Sequence, residues 1–494
     1  MCSFRLHSKY NPHKEAEQFA GTIEGNPLII VVTEPGESYL APILKTKFPC
    51  AKRIAVRYTD ALFFDSDDLW DAVWRPENGS LPFFLLSHIP DEKLAATRFL
   101  SWKAADKAFP EESVAIWKNI RHAIELLTSV MHTRSFFGNK WLKNTIYNFI
   151  HLTHPVELHF GTRNFIIAGA GPSLQQLTAA QGAPYSTLAV TSACTALTAR
   201  NIRIDLCIAT DAGYWALRLF DDIPAGTPIA FPLEAAVPSS ILERHPCIPL
   251  SYGTPLETAL FTAVQLRPLA ARENGTVTGT ACELLLTHTN RNIVLAGVDL
   301  TGSKGFSHAQ PHSSTLSLRA EADRFHPLMG MLAVRNFQTQ SLETYRQWFL
   351  QLPPAATHRI FRAGTQGAPL PKIRTVNLAN GIPNGAHQEH NKPDSTKKAA
   401  RLSVQPYRCA STTDRRQTAL SLLRKLRTDL TEIIIENPAR LEDTTAGLEK
   451  QICALCSYTA YCNAIKNPTD METRTRLAEQ TGRVLDSIIK RIAL

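Results

Sequence analysis

Between about residues 156 and 300, short apolar runs alternate with helix-like stretches. That alternation limits what the chain can fold into more than any other feature. Strand candidates fall at 165–168, 187–191, 204–209, 228–232 and 293–296, and helix candidates at 173–180, 193–200, 256–266 and 279–289. Strands separated by helices join as parallel neighbours through crossovers, so the expected core is a mostly parallel sheet covered on both faces. Such sheets bind ligands in the crevice beyond the strands' carboxyl ends. Polar residues at strand ends therefore become the candidate functional residues.

The most informative strand end is FIIAGAGPSL at 165–174. Gly169 and Gly171 permit a tight turn and a close backbone approach. Pro172 suits a first helical position, and Ser173 adds a hydroxyl. Free amides at that helix start would face a phosphate. The same residues also suit a plain strand–helix turn with no ligand. Further strand ends carry Thr191-Ser192, Asp211 and Asp299. A lone acid often only caps the next helix, but several polar ends on one sheet converge on one crevice. Thr278, Gly279 and Thr280 open another helix, with Glu283 following, and read either as nucleotide contacts or as an N-cap with dipole complement. Beyond Asp299 a flexible loop of Gly302 to Gly305 leads to His308 and His312, which offer imidazole for proton transfer or phosphate contact. Pro311 between them argues against a regular helical metal pair. Cys453-x-x-Cys456, with Cys462 beyond, lies in a helical stretch and reads as packing. No Walker A, GxSxG or full GxGxxG pattern occurs, which counts against ordinary ATPases, serine hydrolases and nicotinamide dehydrogenases.

At 494 residues the chain exceeds one core. The expected division is a small α/β and helical N-terminal domain at 1–155, a Rossmann-like domain at 156–380, a linker at 381–411 and a helical C-terminal domain at 412–494. In the first of these, 28–33 and 53–58 read as strands, 65–68 as a helix N-cap and first turn, and 91–152 as helices. There Ile116, Ile120, Ile124 and Leu127 share one face, and Phe136, Phe137, Trp141, Tyr147 and Phe149 read as core packing. No apolar run is long enough to span a membrane, and the polar N-terminus lacks a secretory core, so a cytoplasmic protein with reduced thiols is expected. The net charge is +9, and residues 391–430 hold ten Lys or Arg against three acids. That stretch is either a solvated linker and helix face or a docking surface for an acidic partner.

Taken together, FIIAGAGPSL, LAVTSA, IDLCIATDAGY, NGTVTGTACELLL and NIVLAGVDLTG with its trailing SHA resemble the motility-associated factor (Maf) proteins. These are flagellin glycosyltransferases with a central domain like 6-hydroxymethylpterin diphosphokinase (MptE-like). The likeness covers roughly 160–375, and NPHKEAEQFA and FFGNKWLKN resemble the family's leader. Arg362 to Gly367 departs from the usual acidic-threonine start with a glycine pair. Thr191 stands where the family usually has asparagine, and Glu283 where it has aspartate. The glycine turn and the later threonine-rich helix are also similar to bacterial sialyltransferases, which implies a sialyltransferase-like sheet.

This resemblance implies a glycosyltransferase that moves a nonulosonic acid, of the pseudaminic, legionaminic or sialic type, from its CMP-activated form to Ser or Thr of flagellin. The partners would be that CMP-sugar donor and flagellin, with or without its chaperone, and no nucleic acid. No cofactor beyond the donor is required, and a divalent metal is left open. On this reading the donor phosphate sits on the amides of Gly171 to Ser173. Thr278, Gly279 and Thr280 hold the nucleotide or the sugar carboxylate. Asp211, Asp299 or His308 serves as base. The alternatives are an ATP- and magnesium-dependent pterin diphosphokinase, a nucleic-acid binder using the basic stretch, and a non-catalytic flagellin adaptor.

Overall fold

The computed structural model describes residues 5–301, 306–333, 340–382, 399–436 and 447–493. The chain forms two compact units, one of residues 1–139 with 424–488 and the other of 140–423 with 489–494. The helix Pro110–His151 thus passes from one unit into the other.

In the first unit, strands β1 (Ile29–Thr33), β2 (Lys52–Val56), β3 (Ala72–Trp74) and β4 (Thr97–Ser101) form a parallel sheet in the order β3-β2-β1-β4. All five residues of β1 are buried, which explains why its run carries no polar alternation. β4 corrects the expectation of helix throughout 91–152: TRFLS pairs along the whole of β1. The acidic turn at 65–68 is also corrected. Phe64–Leu69 is a 3-10 turn, and Asp67 pairs with Arg57 at 2.9 Å and Arg75 at 2.7 Å rather than capping a helix. The fully buried Arg57 guanidinium also meets Glu34, Ser38, Ser66 and two carbonyls. Glu34, Ser38 and Phe63 all hold positive φ around it. That strain persists because one cation satisfies every surrounding acceptor.

Ile116, Ile120 and Leu127 are buried as expected, whereas Phe136 is exposed, its ring edge-on to that of Phe137. Helices Gly447–Cys456 and Tyr458–Lys466 and most of Met471–Ala493 belong to this same unit. Cys453, Cys456 and Cys462 are buried free thiols there, and burial pushes Cys453 up to about 12 and Cys462 to about 11. They pack and do not react.

The second unit contains β5 (Val156–His159), β6 (Phe165–Ala168), β7 (Ser186–Val190), β8 (Leu206–Ile208), β9 (Ile229–Pro232), β10 (Cys247–Ser251), β11 (Leu269–Ala270), β12 (Ile293–Ala296), β13 (Ile360–Ala363), β14 (Arg374–Val376) and β15 (Ser403–Pro406). Nine of them form one wholly parallel sheet, ordered β11-β10-β9-β8-β7-β6-β12-β13-β14. β15 and β5 pair antiparallel apart from it. The central strands are buried throughout, as a sheet covered on both faces requires. From β6 the chain steps outward through β7 to β11, then returns to place β12 on the other side of β6. The order therefore reverses between β6 and β12. That switch point opens a crevice at the carboxyl ends of these two strands.

The helix expected at 173–180 does not form. Pro172–Gln176 is a 3-10 turn, Leu177 is extended, and Ala179–Gly182 is a separate single turn capped by Thr178. The basic stretch at 391–430 is partly committed to internal partners. Arg401 pairs with Asp205 at 2.9 Å, the buried Arg415 donates to the Ile150 carbonyl at 3.1 Å and to that of Leu152, and Arg427 pairs with Asp486 at 3.1 Å. Lys392, Lys397 and Lys398 lie outside the described residues, as does most of the expected linker and the loop Gly302 to Gly305. No helix among the described residues is long and apolar enough to cross a membrane.

Candidate functional site

The turn after β6 and the turn after β12 fit together without side chains between them. The Gly169 amide donates to the Ala296 carbonyl at 2.8 Å and the Gly171 amide to that of Gly297 at 2.7 Å. A Cβ on Gly171 would fall 2.6 Å from both the Gly297 oxygen and an Asp299 carboxylate oxygen. These glycines are needed because two strand ends approach each other, and Gly297 adds a positive φ of 67° on the other side.

Asp299 locks the junction. One carboxylate oxygen accepts the Ser173 amide at 2.9 Å, and the other accepts the Ser173 hydroxyl. This corrects the expected phosphate cradle. Pro172 has no N–H, and the amides of Gly171 and Ser173 are already satisfied within the protein. Arg362, buried in β13, backs the same turn. It donates to the Val298 carbonyl at 3.0 Å and lies 3.9 Å from the Asp299 carboxylate. An arginine inside the apolar run IFRA was the sequence signal for this role, because a buried cation needs a partner.

A cleft of about 490 Å³ opens over this junction. Its lining includes Gly169, Gly171, Pro172, Asp299 and His308 from the expected set, and Thr278 from the threonine-rich helix. Thr276 joins them as N-cap of the Val277–His288 helix, its hydroxyl accepting the Gly279 amide at 2.8 Å. Leu342, Tyr345 and Phe349 supply an apolar wall that strand-end reasoning missed, since they come from the later helix Gln340–Gln351. The described lining carries no lysine or arginine. Its attraction for an anion therefore rests on the helix start and its threonine hydroxyls.

His308 faces the cleft with its Nδ1 2.9 Å from the Ser307 hydroxyl, and burial pushes its pKa down. Its ring stacks on His312 at 4.1 Å between centroids. His312 is buried, caps the helix Ser313–Glu321, and is pushed down to about 4, chiefly by burial and then by His308. Burial disfavours the charged form of both rings, which suits His308 to accept a proton arriving in the cleft.

The remaining expected residues stand elsewhere. Asp211 is exposed and closes its own turn, accepting the Gly213 amide at 2.7 Å. It does not line the cleft, and neither do Thr191, Ser192 or Glu283. Gly279 gives space to the Asn274 carboxamide, and Thr280 is buried and bonded to Tyr252. Of the three residues expected to hold nucleotide at that helix start, only Thr278 faces the cleft. Sequence reasoning also passed over Glu234, just beyond β9, whose carboxyl is pushed up to about 8 by burial and by Glu273 and Glu257 nearby. Among the described residues no three His, Cys, Asp or Glu side chains gather as a metal-ligand set.

A parallel α/β unit with a cleft at its topological switch point places a ligand-sized crevice at the carboxyl ends of β6 and β12. The family model for 6-hydroxymethylpterin diphosphokinase MptE-like proteins matches residues 139–305, which include β6 to β12. An uncharacterized protein of Treponema pallidum (strain Nichols) is 37% identical over 297 residues, which is 60% of this chain and 66% of that relative. The matched stretch thus falls just short of two thirds of the relative's length. The solved Maf glycosyltransferase from Magnetospirillum magneticum AMB-1 has the same fold, with a TM-score of 0.52 at 14% identity over 99% of this chain and 84% of that one. Residues 139–305 thus match the MptE-like family model, and the fold is that of the Maf glycosyltransferase.

Proposed function

We propose that this protein is a glycosyltransferase whose donor lies in the switch-point cleft. The donor is a CMP-activated nonulosonic acid and the acceptor a Ser or Thr hydroxyl of flagellin. The observation that carries this reading is the single cleft surface that holds Thr276, Thr278, Asp299 and His308. The structural likeness to a glycosyltransferase supports the reaction class, and the sequence resemblance supports the donor and acceptor.

In the reaction, the acceptor oxygen bonds to the anomeric carbon while the bond from that carbon to the phosphate oxygen breaks. Its electron pair leaves on CMP, and the acceptor proton passes to the His308 imidazole. A single displacement inverts the anomeric centre. The Thr276–Thr278 helix start holds the anionic donor, and the Asp299 carboxylate opposes positive charge developing on the sugar. Asp211 has no part in this scheme. A pterin diphosphokinase has the family model in its favour. It must hold a triphosphate, whereas the described lining offers no cationic side chain for one.

The test is transfer itself. Purified protein, CMP-activated nonulosonic acid and flagellin are incubated, and intact flagellin mass is measured. A mass gain of one sugar residue is expected, and His308→Asn should abolish it while CMP still binds. Unchanged flagellin mass, or stabilisation by ATP with magnesium but not by CMP, would remove the proposal.

A further inference from the structure

A second cavity of about 360 Å³ lies on the other flank of the same junction, at the carboxyl ends of β12, β13 and β14. Its polar lining is Ser173, Gln176, Gln181, Thr365, Thr375 and Asn377. Every one of these is a hydroxyl or a carboxamide, and no charged side chain belongs to the described lining. Leu177, Val376 and Leu378 supply an apolar floor, and the described lining holds no aromatic ring to stack a base. Gly364, at φ 78°, keeps the cavity open, since a Cβ there would fall 3.0 Å from the Gln176 carboxamide oxygen. Ser173 forms one wall, and its hydroxyl proton is committed to Asp299, so toward a ligand that hydroxyl can only accept.

Hydroxyls and carboxamides both donate and accept, as sugar hydroxyls do. A lining without charge has nothing to hold a phosphate, carboxylate or ammonium. An apolar floor without an aromatic ring offers a flat heterocycle nothing to stack on, so recognition falls to the hydroxyl and carboxamide rim. The volume lies within the range of small-molecule sites. We infer that this cavity is a second ligand site, specific for an uncharged saccharide and separate from the cleft lined by Thr278 and His308. The Asp299–Ser173 link stands between the two, so each site has its own contacts and can be tested alone.

Saturation-transfer NMR on the full chain settles this with neutral probes (glucose, galactose, mannose and N-acetylglucosamine) and with CMP. At least one neutral sugar should show transfer that CMP does not displace. Gln176→Ala and Thr375→Val, both at exposed positions, should each weaken that sugar by about five-fold, the weight of one hydrogen bond, and leave CMP binding unchanged. Absence of transfer to every neutral sugar, transfer that survives both substitutions, or full displacement by CMP would overturn the inference. Sugar binding that persists where CMP does not bind at all supports this site and counts only against the donor reading of the cleft.

Discussion

Asp299 shows how a residue can be readable while its work is not. Its position at the end of an apolar strand marks it as a candidate, but its partner Ser173 lies 126 residues earlier, and nothing local announces the pair. The glycines of the turn were legible as a tight approach. What they approach is another backbone turn, because the amides a phosphate would use are bonded internally. Asp299→Ala should free the Ser173 amide and hydroxyl, lower the melting temperature and reduce transfer by at least ten-fold, and thermal melts beside the transfer assay check both. Asp299→Asn should recover part of the stability, since its oxygen still accepts one bond. In the other unit, Arg57→Met strands the buried Glu34 carboxylate. Urea denaturation should show a loss of about 3–5 kcal/mol for that unit.

Among elements, the strands of the central sheet were the most legible. FIIA and IVLA were placed at their observed bounds because a fully buried strand is continuously apolar. β13 and β14 were missed because IFRA and RTV are short and carry arginines, which break the apolar signal. The segment after Pro172 was misread for a physical reason. Gly-Pro-Ser suits a helix start, but tertiary bonds from Ser173 to Asp299 fix a 3-10 turn instead. The Val277–His288 helix was placed within two residues, and its threonines divide by face: Thr276 and Thr278 toward the cleft, Thr280 into the core. Thr276→Ala removes the N-cap and should cost about 1 kcal/mol of stability. If this helix start holds the donor anion, the same substitution should also weaken CMP binding several-fold by calorimetry. An unchanged CMP affinity would place the anion elsewhere.

At the scale of the whole molecule, the grouping of 424–488 with the N-terminal residues has no local sequence signal, because helical stripes do not name their partners. Buried ionisable groups give the molecule a distinctive pH response. Glu234 has its carboxyl raised from the ordinary range to about 8. The folded chain keeps that proton while the unfolded chain releases it, so stability should fall as pH rises from about 4.5 towards 8. Glu234→Gln should remove that decline in melts taken across the range. A melting profile identical to wild type would show that Glu234 is ionised in the fold. His312 acts on the other side. Its folded pKa of about 4 means the unfolded chain takes up a proton first, so its contribution is lost as pH falls from about 6.5 to 4.

The central claim is that a nucleotide-activated sugar lies over the junction of β6 and β12. A crystal structure of the protein with CMP tests it most directly. The account predicts the phosphate against Thr276 and Thr278, with the phosphate oxygen that would carry the sugar turned toward Asp299 and His308. Nucleotide density in any other cleft, with this one vacant, would contradict it.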